Sequence, residues 1–104
     1  NFLPPLTPYG VMKLGKVKLL PFFLPGDPAM GEAVRGLAGK RTAVMLANHG
    51  PVVAGKDVEA ACNAIEEFEE TARLALLTRG LSPRVLTETQ VRSVVTQFDI
   101  QWDD

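Results

Sequence analysis

The pattern of hydrophobic and polar residues predicts two strands joined by a tight turn. The run Ala43-Val44-Met45-Leu46-Ala47 is continuous rather than alternating, which indicates a strand buried on both faces. A shorter apolar run, Val52-Val53-Ala54, follows Gly50-Pro51, and we expect those two residues to form the turn. Because the connection is tight, the two strands are predicted to pair antiparallel.

The longest predicted helix covers residues 56–79, and Gly80 is expected to end it. Apolar residues recur there at spacings typical of a helix with one buried face. The residues predicted to form this buried stripe are Ala61, Ile65, Phe68, Ala72 and Leu76. Cys62 flanks the stripe and is interpreted as a packing residue rather than a nucleophile. The glutamates are interpreted as a solvated face, with Glu69 and Arg73 forming an i,i+4 ion pair.

Capping residues mark the starts of two further helices. Asp27 is predicted to be an N-cap, with Pro28 in the first helical position, ahead of a helix over residues 29–38. Thr87 and Gln90 are predicted to form a capping box ahead of a last helix that ends near residue 98. The side chains expected to be buried are Met30, Val34, Leu37 and Ala38 in the first helix and Val91, Val94, Val95 and Phe98 in the second.

The beginning of the chain is predicted to be irregular and then to form a further strand. Residues 1–10 contain three prolines and are expected to run extended, as neither helix nor central strand, with Tyr9 in a turn. The alternation in Lys16-Val17-Lys18-Leu19 predicts a half-exposed strand. Strands and helices therefore mix without a strict βαβ rhythm. This order predicts one α/β domain in which helices pack against an antiparallel or mixed sheet.

Composition excludes several classes of function. Hydrophobic residues make up 46% of the 104 residues, charged residues 22%, and the formal net charge is −1. This balance is typical of a globular domain and gives no basic surface for nucleic acid or an anionic membrane. No apolar run approaches the ~20 residues of a membrane span. The single cysteine, Cys62, fits a reducing compartment, so we expect a cytoplasmic protein. Since the chain opens without a methionine in a Pro-rich segment, we expect a piece of a longer polypeptide.

His49 is the only histidine and the main candidate for chemistry. The chain has no CxxC, HExxH, phosphate-binding glycine loop or Gly-x-Ser-x-Gly motif. His49 follows the predicted central strand, at a sheet edge where folds often place functional groups. A lone histidine is more often structural, and a metal site needs about three or four ligands. The residues alone therefore leave its role open.

Two stretches resemble the C-terminal half of the class II aldolase/adducin family. The first is Ala47-Asn48-His49-Gly50-Pro51-Val52-Val53 with Gly55-Lys56, and the second is the Glu-rich helix from Ala64 to Ala72. Thr7-Pro8-Tyr9 and Pro25-Gly26-Asp27-Pro28-Ala29 are most similar to the branch that decarboxylates 3-oxo-tetronate 4-phosphates. The resemblance implies a three-layer sandwich, of which residues 1–104 would be the C-terminal portion, without the N-terminal half.

The resemblance also implies a metal site. Family members hold zinc, or another divalent ion, with three histidines. Two come from a His-x-His motif of the N-terminal half, and the third matches His49. This sequence has no His-x-His, so the chain by itself is expected to be inactive. In the intact protein the ion would stabilise the enediolate that is left when carbon dioxide departs from a sugar-acid phosphate, and protonation would give dihydroxyacetone phosphate.

The same resemblance suggests further residues and alternatives. In the fuculose-phosphate aldolases of the family, a tyrosine from the neighbouring subunit acts as the acid, and Tyr9 is its match here. A homotetramer with the site between subunits is therefore implied. The C-terminal tail tyrosine of those aldolases has no counterpart, because Ile100-Gln101-Trp102 stands there. Two other functions stay open, namely a sugar-phosphate aldolase or epimerase and a non-catalytic, adducin-like interaction domain.

Overall fold

The computed structural model describes residues 2–102, so Asn1 of the predicted extended segment and Asp103 and Asp104 of the tail lie outside the described residues. The elements in chain order are α1 (Pro8–Leu14), β1 (Lys18–Leu20), α2 (Pro28–Arg35), β2 (Ala43–Leu46), β3 (Gly50–Val53), α3 (Val58–Leu77) and α4 (Glu88–Phe98). None of the helices within this range is long and apolar enough to cross a membrane.

The strands form one mixed sheet with the order β1-β2-β3. β1 is parallel to β2, with Lys18 opposite Val44, and β2 is antiparallel to β3, with Val44 opposite Val52. The predicted antiparallel hairpin and the mixed sheet are both confirmed. The parallel pair is possible because α2 and its flanking loops form a long crossover between β1 and β2.

The sheet is the middle of three layers, because alternate side chains of β2 enter different apolar clusters. Ala43 packs on one face with Leu14 and Phe68, from α1 and α3. Val44 and Leu46 pack on the other face, against Met30, Ala33, Val34 and Leu37 in and just after α2. The continuous apolar run of β2 is therefore buried on both faces, as predicted. α4 packs against α1 in the outer layer.

Side-chain caps define the starts of the helices. Asp27 Oδ1 accepts a hydrogen bond from the Ala29 N–H at 2.9 Å, which confirms the predicted start of α2. The Thr87 side chain accepts from the Gln90 N–H at 3.1 Å, and Gln90 Oε1 accepts from the Thr87 N–H at 2.9 Å. The capping box of α4 is thus confirmed. These bonds satisfy N–H groups that have no partner within a helix.

The prediction that residues 1–10 contain no helix is wrong. Residues 2–7 lack regular structure, but Pro8, Tyr9 and Gly10 form the first turn of α1. Thr7 is the N-cap, and its Oγ1 accepts from the Gly10 N–H at 3.1 Å. Proline is favourable in the first helical position, where its missing N–H costs nothing. Thr7-Pro8 is therefore the same start signal as Asp27-Pro28.

The buried face of α3 is rotated from the predicted stripe. Ala64, Phe68 and Thr71 are buried, whereas Leu76 is 66% exposed. Ala61, Ile65 and Ala72 are half-buried, and Cys62 is exposed rather than a packing residue. Hydropathy alone misplaced the stripe because Thr71, a polar residue, is buried against Gly10 of α1 and donates to Glu67 Oε2 at 3.0 Å.

Smaller differences affect the helix ends, the first strand and an ion pair. α2 ends at Arg35 rather than residue 38, and Ala38 is exposed. Phe98 is half exposed, since it occupies the last position of α4. The predicted half-exposed burial pattern is wrong for β1, because Leu19 is 50% exposed, whereas Val17, just before the strand, and Leu20 are buried in opposite apolar clusters. Arg73 pairs with Glu70, at i,i+3, instead of with Glu69, and the distance from Arg73 Nη1 to Glu70 Oε1 is 3.7 Å.

Candidate functional site

His49 lies in the loop that connects β2 to β3. The loop is Ala47-Asn48-His49, because Leu46 and Gly50 are already paired across the hairpin. The predicted turn at Gly50-Pro51 is therefore wrong by about two residues. Asn48 adopts φ 59°, a left-handed conformation that asparagine tolerates better than most residues. Three-residue hairpin loops commonly contain such a residue, so Asn48 rather than Gly50 makes the reversal possible.

The backbone of His49 is held by a hydrogen bond, whereas its side chain is exposed to solvent. Its N–H donates to the Leu46 carbonyl at 3.1 Å, which anchors the loop to the end of β2. The imidazole is exposed and belongs to neither apolar cluster. A histidine placed this way can offer a ring nitrogen to a group that approaches from outside the chain.

The residues around the loop come from the adjacent strand. The Ala47 N–H donates to the Leu20 carbonyl at 3.2 Å, so the end of β1 lies directly beside the loop. The chain then continues into Pro21-Phe22-Phe23-Leu24, where Phe22 and Leu24 are exposed. The segment that leaves β1 beside the His49 loop therefore carries exposed apolar side chains.

A metal ion at His49 would need ligands from elsewhere. Within residues 2–102, no group of three or more histidine, cysteine, aspartate or glutamate side chains is close enough to hold one. The exposed imidazole on a fixed loop fits the part of one ligand in a set of about three or four. The remaining donors would have to be supplied by residues outside this range.

Tyr9 occupies the second position of α1, and its side chain is 62% exposed. α1 packs against α3 and α4, whereas His49 belongs to the hairpin loop. Neither side chain makes a hydrogen bond or ring contact with the other among the described residues. The fold thus presents two separate, accessible candidate groups rather than one assembled site.

A close contact between α1 and α3 determines how Tyr9 is presented. A Cβ added to Gly10 would lie 3.1 Å from Thr71 Oγ1, so the two helices approach closely at this point. Thr71 is buried there and the neighbouring Tyr9 faces solvent. Sequence reasoning missed this contact. A glycine in a first helical turn opposite a small residue on α3 is the signal that could have indicated it.

A large cavity lies away from both candidate residues. Its volume is about 510 Å³, and it lies between the end of α1, the base of the β2–β3 hairpin, the start of α3 and the segment after α4. Lys13, Thr42, Asn63 and Asp99 contribute its polar lining, and neither Tyr9 nor His49 reaches it. Since Thr42 and Ala54 lie at the base of the hairpin and His49 at its tip, the cavity belongs to the opposite end of the sheet.

Comparison with known proteins identifies the family. Residues 1–76 match the family described as Class II Aldolase and Adducin N-terminal domain. This chain belongs to the class II aldolase and adducin family. The match includes α1, the sheet, His49 and most of α3, and it confirms the resemblance inferred from the Asn48-His49-Gly50 turn and the Glu-rich helix.

The similar curated proteins share one name. A 3-oxo-tetronate 4-phosphate decarboxylase of Pectobacterium atrosepticum is 45% identical over 89 residues, covering 86% of this chain and 41% of the relative. The protein of the same name from Haemophilus influenzae is 44% identical over 96 residues, covering 90% of this chain and 45% of that relative. The chain therefore spans less than half the length of these relatives.

Solved structures confirm the α/β fold. The crystal structure of YgbL from Klebsiella pneumoniae superposes with a TM-score of 0.88 at 44% identity, covering 90% of this chain and 45% of that one. The crystal structure of YgbL from Escherichia coli also superposes with a TM-score of 0.88, at 40% identity and with the same coverage of both chains. Both are described with aldolase, epimerase and decarboxylase as alternatives. The layered arrangement of this family was thus predicted correctly from the sequence.

Proposed function

We propose that this chain is part of a divalent-metal-dependent carbon–carbon lyase that decarboxylates 3-oxo-tetronate 4-phosphate to dihydroxyacetone phosphate. The observation that carries the proposal is the exposed imidazole of His49 on a hydrogen-bonded loop, in a chain whose curated relatives bear the decarboxylase name. The single cysteine, Cys62, is exposed and supports a reducing, cytoplasmic location.

His49 would be one ligand of a zinc or similar divalent ion. A bound cation would act as a Lewis acid that polarises the substrate's keto and hydroxyl oxygens and stabilises the charge that develops as carbon dioxide leaves. His49 would contribute a neutral ring nitrogen, and its backbone N–H, which donates to the Leu46 carbonyl, fixes the loop that carries the imidazole. Because one ligand cannot hold the ion, the chain alone would be inactive.

Tyr9 would supply a proton in the site of a neighbouring subunit. Tyr9 is 62% exposed on α1, and its phenol makes no hydrogen bond or ring contact with other described residues, so it is available to a surface outside its own chain. This role implies a homo-oligomer, and we propose the tetramer with its sites between subunits. Gly10 and Thr71 would act as positioning residues by holding α1 close to α3.

An assay of the reaction products tests the proposal. The suitable protein is a full-length chimera in which this chain replaces the matching part of the decarboxylase of Escherichia coli K12, to which it is 42% identical over 91 residues. We expect the chimera to release carbon dioxide from 3-oxo-tetronate 4-phosphate and His49→Ala to abolish that release. Cys62→Ser, which changes an exposed residue on α3, is the control and should keep full activity.

An aldolase or epimerase of the same family is the second candidate. The observation in its favour is that YgbL, with a TM-score of 0.88, is described with aldolase and epimerase as alternatives to decarboxylase. If the chimera releases an aldehyde, the protein is an aldolase instead of a decarboxylase. If it inverts a sugar phosphate without releasing carbon dioxide, the protein is an epimerase. A chimera that binds no divalent metal and catalyses none of these reactions would leave the non-catalytic, adducin-like function.

A further inference from the structure

The large cavity at the base of the β2–β3 hairpin is enclosed by four separate parts of the chain. Its walls are the end of α1, the two ends of the hairpin, the first turns of α3 and the tail segment, residues 99–102. Among the described residues, those of β3 itself do not line it. Its volume of about 510 Å³ lies within the range of ~300–1,000 Å³ that small-molecule sites occupy. The space is therefore large enough for a small metabolite.

Two opposite charges line this cavity from different elements. Lys13 belongs to the last turn of α1, and Asp99 is the C-cap of α4. Neither side chain forms an ion pair or a hydrogen bond with another described residue, so the two charges do not neutralise each other. A ligand with a carboxylate for Lys13 and an ammonium group for Asp99 would form a charge-assisted hydrogen bond with each.

The rest of the lining suits the body of such a ligand. Asn63 and Gln101 contribute amides, which both donate and accept, and neither amide is engaged by another described residue. Thr42 Oγ1 donates to the last carbonyl of α1 at 3.4 Å and can still accept a hydrogen bond. Met12 and Ile100 are half-buried and provide apolar surface. The cavity thus combines one pair of charges with neutral polar and apolar groups.

We infer that this cavity binds an α-amino acid with an apolar side chain. The carboxylate of the ligand would accept from Lys13, its ammonium group would donate to Asp99, and its side chain would contact Met12 and Ile100. A sugar-acid phosphate is a poorer ligand, because its several negative charges would meet the Asp99 carboxylate with one lysine to offset them. A neutral sugar would displace water from both charged groups without supplying an opposite charge.

The tail segment is a wall of the cavity that depends on one glycine. Asp99 ends α4 with φ 53°, and the Ile100 N–H donates back to the Val95 carbonyl at 3.0 Å. The segment then passes over Gly15, where an added Cβ would lie 3.2 Å from the Gln101 carbonyl oxygen. Because Asp99, Ile100 and Gln101 line the cavity, a bound ligand would favour the docked position of the segment, and docking would favour the ligand.

A cation–π contact holds the end of the same segment. The Lys16 ammonium lies over the Trp102 ring, with Nζ 5.5 Å from the ring centroid, which is within the range of this interaction. Lys16 is therefore engaged by the tail segment. Lys13, on the other side of Gly15, is the lysine that lines the cavity and is available to a ligand.

Calorimetry with matched ligands tests the charge pair. The full-length chimera defined above, without substrate and with divalent metal chelated, is titrated with L-leucine, 4-methylpentanoate and 3-methylbutylamine. The second compound is leucine without its ammonium group, and the third is leucine without its carboxylate. We expect L-leucine to bind at least about tenfold more tightly than either, because each of the others loses one charge-assisted contact.

Three results of this titration would overturn the inference. The first is no binding of L-leucine, and the second is equal binding of the three compounds. The third is binding to the 104-residue chain but not to the chimera, which would show that the rest of the domain fills the cavity. Since neither metal nor catalysis is involved, each of these results would leave the proposed decarboxylation unaffected.

Neutral substitutions at the two charged residues locate the bound amino acid. Lys13→Met keeps a long side chain, and Asp99→Asn keeps a residue type that tolerates the left-handed conformation found there. Each should weaken the binding of L-leucine at least about tenfold. Lys18→Met, on β1 and outside the cavity lining, is the matched control and should bind like the original chimera. Unchanged binding in either cavity variant would contradict the site.

A pair of glycine substitutions tests the role of the tail segment. Gly15 and Gly26 have φ 63° and 86°, so alanine is strained at both. A Cβ at Gly15 would press on the segment, whereas no atom lies within 4 Å of a Cβ at Gly26. Gly15→Ala should therefore weaken the binding of L-leucine at least about fivefold, and Gly26→Ala should leave it unchanged. Equal binding by the two variants would show that the docked segment is not part of the site.

Discussion

At the scale of single residues, the conformation of Asn48 explains why His49 projects from the hairpin. The chain reverses with one residue at φ 59°, and asparagine is suited to this conformation because its short polar side chain relieves part of the steric cost. The sequence indicated a turn here but not its position. Gly50-Pro51 carries the stronger turn signal, yet the pairing of β2 with β3 places both residues in a strand. Register is a property of two segments, so the residues of the turn alone could not determine it.

Substitution of Asn48 tests this explanation of the loop. Asn48→Ala should lower the free energy of unfolding by about 1 kcal/mol, because a Cβ without a compensating polar group is disfavoured in the left-handed region. Asn48→Gly, which removes the Cβ, should leave stability within about 0.5 kcal/mol of the original. Urea denaturation followed by circular dichroism measures both. An alanine variant as stable as the glycine variant would contradict the role given to Asn48.

Tyr9 gives a second prediction at this scale. In the full-length chimera, Tyr9→Phe should lower kcat about 10²-fold with little change in KM, because the phenol is proposed to move a proton rather than to bind substrate. Tyr9 is 62% exposed, so the substitution should leave the Tm unchanged. The matched control is Phe98→Leu, which alters another exposed ring, at the end of α4, and should leave kcat and KM unchanged. A higher KM with unchanged kcat would instead indicate a binding role.

At the scale of elements, local signals predicted helix starts well and buried faces less well. The caps at Asp27 and Thr87 depend on neighbouring residues only, and both were recognised. Thr7-Pro8 carries the same signal, but the density of prolines concealed it. The buried face of α3 depends on how closely α1 approaches at Gly10, a contact between residues far apart in the chain. Hydropathy therefore predicted a helix there but misplaced its packed side.

Two glycines with opposite surroundings test the packing at the start of α3. A Cβ on Gly55 would lie 2.7 Å from the Ala61 backbone nitrogen, so Gly55→Ala must displace backbone and should cost about 1–3 kcal/mol of stability. Gly31 lies inside α2, and no atom is within 4 Å of the position that a Cβ would take there, so Gly31→Ala should add about 0.5–1 kcal/mol. Chemical denaturation of the two variants gives both values. Equal effects would show that the close approach at Gly55 is not retained in solution.

At the scale of the whole molecule, the sequence pattern predicted α/β layering, the family resemblance implied the three layers, and the site could be predicted only in part. The apolar run of β2 predicted burial on both faces, and a mixed sheet between helices is what the structure has. For the candidate site, the sequence offered only His49 and Tyr9, and both roles stay predictions, since the described residues contain no group of three or more side chains that could hold a metal. The chain covers less than half the length of these curated relatives.

The divalent metal content of the purified full-length chimera, with and without His49, is the most direct test of the proposed metal site. We predict about one tightly bound ion per chain in the chimera, its loss in His49→Ala, and its retention in the Cys62→Ser control. Elemental analysis after exhaustive dialysis gives these values, and thermal unfolding of His49→Ala shows whether the fold is preserved. A folded His49→Ala chimera that keeps its full metal content would contradict the assignment of His49 as a ligand.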